Sequence, residues 1–167
     1  GVRCMNIRKT RHEDLAELLE IYNYEVLNGT ATFDLHPKSM TDWEKWFSAH
    51  GKENHPLYTA ELDGRAVGYA SLSPYRDKEA YVATVELSVY VAHDCRGMGI
   101  ASKLMKVILD DAKNDERTHT VVSVITSGNE PSRCLHEKFG FEFCGTIAEV
   151  GKKFGRYIGI DNYRLTV

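Results

Sequence analysis

The sequence predicts one α/β domain built on a mixed β-sheet, and three observations lead to that prediction. The chain has 167 residues, a usual length for one domain, and 43% of them are hydrophobic, enough for a sizeable core. Apolar runs with the two-residue alternation of strands are interspersed with apolar stripes of helical spacing. No linker, repeat or low-complexity segment interrupts the sequence, so we expect a single domain over residues 1–167.

The first half of the chain is predicted to contain strands that follow one another as antiparallel neighbours. Asp63 and Gly64 form a strong hairpin signal between two apolar runs. The predicted elements are a strand at 3–8, helices at 14–27 and 41–48, and strands at 57–62 and 66–72.

The second half begins with an apolar strand that ends at Val91 and a turn that opens into a helix at Ile100. Because that helix connects the strand to the next apolar run at 120–126, these two strands are expected to be parallel, which makes the sheet mixed. The remaining predicted elements are a helix at 131–139 and strands at 141–150 and 157–167.

The turn before Ile100 is predicted to bind an anion. Gly97 and Gly99 permit positive φ and a close approach of a ligand to the backbone. The N–H groups of Gly97, Met98, Gly99 and Ile100 are expected to be the unpaired donors of the following helix, where the helix dipole also favours negative charge. The turn carries neither a G-x-G-x-x-G dinucleotide fingerprint nor the Gly-Lys-Ser/Thr ending of a P-loop. The sequence therefore indicates a pyrophosphate site of another kind.

Three sets of motifs resemble the GNAT N-acetyltransferase superfamily. Arg96-x-x-Gly99-x-Ala101 resembles its acetyl-CoA signature R/Q-x-x-G-x-G/A, and residues 129–141 resemble its segment of strand end, helix and Gly-Phe. Further segments resemble the phosphinothricin and methionine sulfoximine acetyltransferase branch, at 21–25, 32–33, 81 with 84–91, 135–137 and 151–156. The resemblance spans nearly the whole chain. It implies the GNAT fold, with six or seven strands splayed between the fourth and fifth and about four flanking helices.

The resemblance implies that acetyl-CoA is the co-substrate and fills the gap between the splayed strands like an extra strand. The segment that begins at Asn129 is equally typical of a plain helix cap, above all for Ser132. The implied cofactor residues are Leu87, Val89, Val91, Arg96, Gly97, Met98, Gly99, Ile100, Ala101, Ser102, Asn129, Ser132 and Leu135.

The chemistry of amide formation points to Glu86, and the resemblance adds His136. An ammonium must lose a proton before it attacks a thioester, and a central strand would bury Glu86 and raise its pKa toward the operating range. A structural hydrogen bond or ion pair is the alternative for Glu86. His136 stands where many GNAT enzymes have a tyrosine that protonates the departing thiolate, and packing beside the cofactor is its alternative. No Ser or Cys is recognised next to a base, so direct attack in a ternary complex is expected, without a metal.

The acceptor pocket is the least specific part of the prediction. The resemblance places five residues around an amino-acid acceptor, partly across a homodimer interface, although each is also an ordinary core or surface type. These residues are Phe33, Tyr75, Arg76, Tyr81 and Arg156. At Gly159 the chain departs from members of the branch that carry an acidic residue, which puts phosphinothricin-type substrates in doubt.

Composition argues against several other classes of protein. A net charge of −3 gives no field for capturing nucleic acid or an anionic membrane. No apolar run approaches the roughly 20 residues that span a bilayer, and the N-terminus lacks a secretory pattern, so a cytoplasmic location is expected. The four cysteines have neither metal-pair nor CxxC spacing and are expected to be reduced, with Cys95 nearest the ligand.

Acetylation of a small-molecule α-amine is thus the favoured function. Two alternatives are kept: acetylation of a protein N-terminus, polyamine or aminoglycoside, and coenzyme A binding without turnover.

Overall fold

The computed structural model describes residues 3–167, and it consists of seven strands and four helices with three short 3₁₀ segments. The strands are β1 (Met5–Lys9), β2 (Leu57–Leu62), β3 (Arg65–Pro74), β4 (Thr84–Val91), β5 (Thr120–Thr126), β6 (Glu142–Lys153) and β7 (Arg156–Thr166). The helices are α1 (Leu15–Asn28), α2 (Met40–Ser48), α3 (Ile100–Asn114) and α4 (Glu130–Lys138). The 3₁₀ segments are His12–Asp14, Glu79–Tyr81 and His93–Cys95.

All seven strands form one sheet in the order β1-β2-β3-β4-β5-β7-β6. Every neighbouring pair is antiparallel except β4 and β5, which are parallel. The prediction of a mixed sheet is therefore confirmed. β4 is the middle strand of the seven, as the burial argument for Glu86 requires.

The pairing of β4 with β5 is short, and this is what splays the sheet. Only Thr84–Glu86 pair with residues 120–122, whereas β4 pairs with β3 from Val85 to Val91. Beyond Glu86 the two strands part, and the edge of β4 that faces β5 has no strand partner. The predicted splay between the fourth and fifth strands is confirmed.

The helices cover the two faces of the sheet. A Cβ placed on Gly68 of β3 would lie 3.2 Å from Leu104 of α3, so α3 covers the face to which Gly68 and its register partner Val91 point. Tyr90 points the other way and meets Tyr22 of α1, with ring centroids 5.4 Å apart. Consecutive residues of β4 thus serve opposite faces of the molecule.

The core lies on both faces of β3 and β4, where the strands are covered by helices. The hairpin prediction at Asp63 and Gly64 is confirmed, since both have positive φ.

The starts of two helices also follow ordinary capping rules. The Ser39 side chain accepts a hydrogen bond from the Asp42 N–H at the start of α2, and α4 carries Pro131 in its first turn. In the part of the chain that the structure describes, no helix is both long and apolar enough to cross a membrane.

Candidate active site

A cavity of about 750 Å³ opens where β4 and β5 part. Its walls are the diverging ends of β4 and β5, the first turn of α3 and one side of α4. Met98 is the one implied cofactor residue that is absent from these walls; its sulfur accepts a hydrogen bond from Arg3 at 3.6 Å. The implied residues that line the cavity are Leu87, Val89, Val91, Arg96, Gly97, Gly99, Ile100, Ala101, Ser102, Asn129, Ser132, Leu135 and His136.

The end of the cavity at α3 is suited to an anion. Gly97 and Gly99 both have φ of +77°, and an added Cβ at either would meet no atom within 4 Å, so the backbone is open to a ligand. The helix begins at Ile100, as expected, but its unpaired first-turn N–H groups are those of Ile100, Ala101 and Ser102, not the predicted set at residues 97–100. Gly97 and Met98 belong to the preceding turn.

Two charged residues at this end were missed in the sequence. Arg96 donates to the carboxylate of Glu25 at 2.5 Å, and the Glu25 side chain is only 10% exposed. Lys138 of α4 donates to the Ser102 hydroxyl at 2.7 Å, which brings a positive charge beside the start of α3. Two features of the sequence could have pointed to Glu25: it belongs to the resembling segment 21–25, and it lies on the buried face of α1 beside Val26. No feature of the sequence pointed to Lys138.

The wall of the cavity also contains a buried histidine with both ring nitrogens engaged. His136 Nδ1 lies 2.7 Å from the Ser132 carbonyl oxygen, and Nε2 lies 2.6 Å from Ser123 Oγ. Burial lowers the pKa of His136, which favours the neutral ring. Asn129 caps α4 by accepting from the Ser132 N–H at 3.3 Å, so the cap alternative describes its side chain here.

Glu86 lies on the face covered by α1 and α2. Its register partner Ser73 bonds to His50, which follows α2, with 2.7 Å between Oγ and Nε2. Glu86 is half-buried, and among the described residues no side chain or backbone group is within hydrogen-bonding distance of its carboxylate. Burial raises the pKa of Glu86. The structural alternative for Glu86, a hydrogen bond or ion pair, is not seen.

Three of the five residues predicted to surround the acceptor contact one another. Tyr75, Arg76 and Tyr81 lie together in the connection between β3 and β4: the Arg76 guanidinium is 5.0 Å from the Tyr75 ring centroid and 5.8 Å from that of Tyr81. Phe33 instead packs on Gly151 of β6, and Arg156 is exposed at the start of β7. That Phe33 and Arg156 share one acceptor pocket with the other three residues stays a prediction.

Gly159 has no room for a side chain. An added Cβ would lie 2.9 Å from Ser127 Oγ and 3.0 Å from the carbonyl oxygen of Ile147. The nearby carboxylate is that of Asp161, which accepts hydrogen bonds from Ser127 at 2.8 Å and Thr146 at 2.6 Å. The packing of β7 against β6 and Ser127 thus suits a glycine at position 159, where members of the branch carry an acidic residue.

Comparisons with known proteins agree with this architecture. The family described as "Acetyltransferase (GNAT) domain" matches residues 7–160. A methionine sulfoximine and methionine sulfone acetyltransferase of Pseudomonas paraeruginosa is 36% identical over 163 residues, 97% of this chain and 94% of that protein. A phosphinothricin N-acetyltransferase of Streptomyces coelicolor is 38% identical over 160 residues, 94% of this chain and 93% of that protein.

One of the similar solved structures contains a bound ligand. The phosphinothricin acetyltransferase of Sinorhizobium meliloti, in complex with acetyl-CoA, superposes with a TM-score of 0.92 at 29% identity, covering 98% of this chain and 88% of that one. Family match, identity and fold agree along nearly the whole chain. This protein therefore belongs to the GNAT acetyltransferase family.

Proposed function

We propose that this enzyme transfers the acetyl group of acetyl-CoA to the α-amine of a small amino acid or amino-acid analogue. The observation that carries the proposal is the cavity at the β4–β5 splay, with a half-buried carboxylate on the opposite face of the same strand. The relatives named for methionine sulfoximine, methionine sulfone and phosphinothricin support this class of acceptor.

The residues around the cavity fit coenzyme A. The open backbone at Gly97 and Gly99 and the free N–H groups of α3 suit a pyrophosphate, and Lys138 adds a positive charge. The unpaired edge of β4 beyond Glu86 offers backbone groups to an extended pantetheine arm. When bound, acetyl-CoA would supply an activated acyl group as a thioester.

Glu86 is proposed to accept the proton that the ammonium must lose. A carboxylate without a competing partner and with a raised pKa is a better base near neutral pH than an exposed one. Ser73 lies beside Glu86 on the same face of the sheet, where it bonds to His50. The cluster of Tyr75, Arg76 and Tyr81 lies in the connection that leads into β4. We propose that Arg76 holds the acceptor's carboxylate there.

A homodimer is part of the proposal. The hairpin of β6 and β7 exposes large apolar side chains to more than half of their area, an arrangement typical of an interaction surface. They are Phe143, Ile147, Val150, Phe154 and Tyr157. A second copy seated on this hairpin would cover them and place its Arg156 beside its partner. Light scattering across a concentration series tests the dimer.

An acceptor panel tests the proposed function. Release of free coenzyme A is followed with a thiol reagent in the presence of methionine sulfone, methionine sulfoximine, phosphinothricin, a polyamine, an aminoglycoside and a peptide with a free N-terminus. We expect turnover with the three amino-acid analogues. Efficient acetylation of the peptide or the polycations, with none of the analogues, would overturn the substrate class. If no acceptor raised coenzyme A release above the rate measured without acceptor, acetyl transfer to an amine would be overturned.

A further inference from the structure

Ser123 and His136 form a nucleophile–base pair at the cavity, contrary to the expectation that no serine lies next to a base. The Ser123 hydroxyl lies 2.6 Å from His136 Nε2, and both residues are buried while lining the cavity. A hydroxyl within hydrogen-bonding distance of an imidazole, with that imidazole oriented by a third group, is the arrangement of activated serine nucleophiles.

The surroundings of His136 settle which nitrogen accepts. The Ser132 carbonyl can only accept a hydrogen bond, so the proton of the neutral ring is on Nδ1, 2.7 Å from that oxygen. Nε2 then carries the lone pair and accepts from Ser123. The ring is fixed between Phe141 and Tyr163, with centroid distances of 5.0 Å and 5.5 Å. His136 is therefore oriented as a base toward Ser123.

The pair lies at the point where the sheet opens. Ser123 follows Val122, the last residue of β5 that pairs with β4, and Leu87 follows the corresponding Glu86. Because Val85 and Val121 are register partners, Leu87 and Ser123, each two residues further along, point to the same face. Both line the cavity, so the Ser123 hydroxyl is near the backbone proposed to hold the acyl end of acetyl-CoA.

We propose that Ser123 is a second acyl acceptor, which takes the acetyl group when no amine is bound and so gives the enzyme a slow thioesterase activity. Ser123 Oγ would form a bond to the acetyl carbonyl carbon while His136 Nε2 takes the hydroxyl proton. The carbon–sulfur bond breaks, and the departing thiolate takes that proton from the imidazolium. His136 then takes a proton from water, whose oxygen bonds to the ester carbonyl carbon. The bond from that carbon to Ser123 Oγ breaks, the serine oxygen takes the proton from the imidazolium, and acetic acid releases its own proton to solvent, so the products are acetate and coenzyme A, with Ser123 restored. This inference rests on the proposed binding of acetyl-CoA in the cavity.

Binding, acyl transfer and hydroxyl reactivity are tested separately. Calorimetry first measures acetyl-CoA binding to the full-length chain. Protein incubated with isotopically labelled acetyl-CoA and no amine is then quenched in acid, and its peptides are mapped by mass spectrometry while coenzyme A release is followed. Finally, ligand-free protein is treated with a fluorophosphonate, which labels activated serines without any coenzyme.

We expect both labels on the peptide that contains Ser123. Ser123→Ala should remove them and lower amine-independent coenzyme A release at least tenfold. His136→Gln keeps the hydroxyl but removes the base, so the rate of labelling should fall about 10²-fold or more. Ser127→Ala is the matched control, because Ser127 donates to the Asp161 carboxylate and lies outside the cavity walls; it should keep the label.

Three outcomes discriminate between the inference and the function on which it rests. Intact acetyl-CoA binding with no label on Ser123, together with amine-independent release that Ser123→Ala leaves unchanged, would overturn the inference alone. If the acetyl label does not accumulate because deacylation is rapid, the inference still requires amine-independent coenzyme A release to be lower in Ser123→Ala than in the parent. Absence of acetyl-CoA binding would overturn the proposed function, and the inference with it, whatever the fluorophosphonate shows.

Discussion

At the scale of single residues, Glu86 is the group whose environment and proposed chemistry depend most closely on each other. We expect Glu86→Gln to lower kcat about 10²- to 10⁴-fold while acetyl-CoA affinity is retained, because only proton acceptance is lost. Stopped-time assays and calorimetry measure the two quantities. Glu20→Gln, on the exposed side of α1, is the matched control. Activity within twofold of the parent from pH 6 to 9 would exclude Glu86 as the base.

The raised pKa of Glu86 also predicts a pH dependence. Since the carboxylate is the active form, kcat/KM should rise with pH through a midpoint above the ordinary glutamate range, and this limb should vanish in Glu86→Gln.

Stability should change in the opposite sense to activity. A carboxyl whose pKa is higher in the folded than in the unfolded protein binds more protons when folded, so its contribution to stability falls as pH rises through that interval. Glu86→Gln should therefore unfold at a higher denaturant concentration than the parent at pH 7, and the difference should shrink toward pH 4. A less stable Glu86→Gln at pH 7 would contradict this account of Glu86.

Gly99 tests the phosphate end of the cavity. Gly99→Ala adds a Cβ to the face of the backbone left open for a ligand, and we expect acetyl-CoA affinity to fall at least tenfold by calorimetry. Gly64→Ala is a close control, because Gly64 also has positive φ, +82°, and an equally open Cβ position in the β2–β3 turn. The two variants should lose similar stability. Equal acetyl-CoA affinity in the two variants would show that the pyrophosphate does not bind at this turn.

At the scale of elements, α2 depends on its capping box. Ser39→Ala removes the acceptor for the Asp42 N–H, so the free energy of unfolding should fall by about 0.5–2 kcal/mol. Ser48→Ala provides the comparison within the same helix, since Ser48 only donates back to the Glu44 carbonyl, a bond of little net value. Denaturant titration measures both, and an equal loss in the two variants would show that the cap is not what stabilises the start of α2.

The connection from β3 to β4 should set acceptor affinity. We expect Arg76→Ala to raise KM for an amino-acid acceptor about tenfold to a hundredfold with a smaller effect on kcat, because a charge-assisted bond to a carboxylate contributes about 1.5–3 kcal/mol. Arg164→Ala controls for loss of a surface arginine, as Arg164 pairs with Glu142 on the edge of the sheet. An unchanged KM in Arg76→Ala would separate this cluster from the acceptor site.

Elements with strong local signals were predicted closely from the sequence. The strands at 57–62 and 120–126 have the bounds of β2 and β5, because apolar residues and flanking turn residues define both ends. β6 extends to Lys153, beyond the predicted end at 150, since this exposed strand lacks alternation and is interrupted by register shifts. The three 3₁₀ segments are each only three residues long and carry no periodic signal.

For the site as well, features formed by contiguous residues could be predicted, and contacts between residues distant in the sequence could not. The glycine turn and the start of α3 are contiguous in sequence, so their role could be predicted. The partnerships Arg96–Glu25, His50–Ser73 and His136–Ser123 join residues 71, 23 and 13 positions apart, and no spacing rule brings such pairs together.

At the scale of the whole molecule, the proposed mechanism places the two substrates on different sides of the splayed sheet. The cavity proposed for the coenzyme lies between the parting strands, whereas the proposed base and acceptor cluster belong to the face under α1 and α2 and to the end of β3. An amine bound beside Glu86 would thus reach the acyl group through the gap between β4 and β5. This arrangement requires both substrates to be bound at once for transfer to the amine.

The central claim is that the acceptor is a small α-amino acid, and a matched pair of acceptors tests it most directly. Methionine sulfone and 3-(methylsulfonyl)propylamine have the same amine and sulfone, but only the first carries a carboxylate. The measurement is the ratio of their kcat/KM values with saturating acetyl-CoA, with the acetylated product verified by mass spectrometry. We expect a ratio of about tenfold or more in favour of methionine sulfone, and a ratio close to one in Arg76→Ala. Equal kcat/KM values for the two acceptors in the parent enzyme, or acetylation of neither, would contradict it.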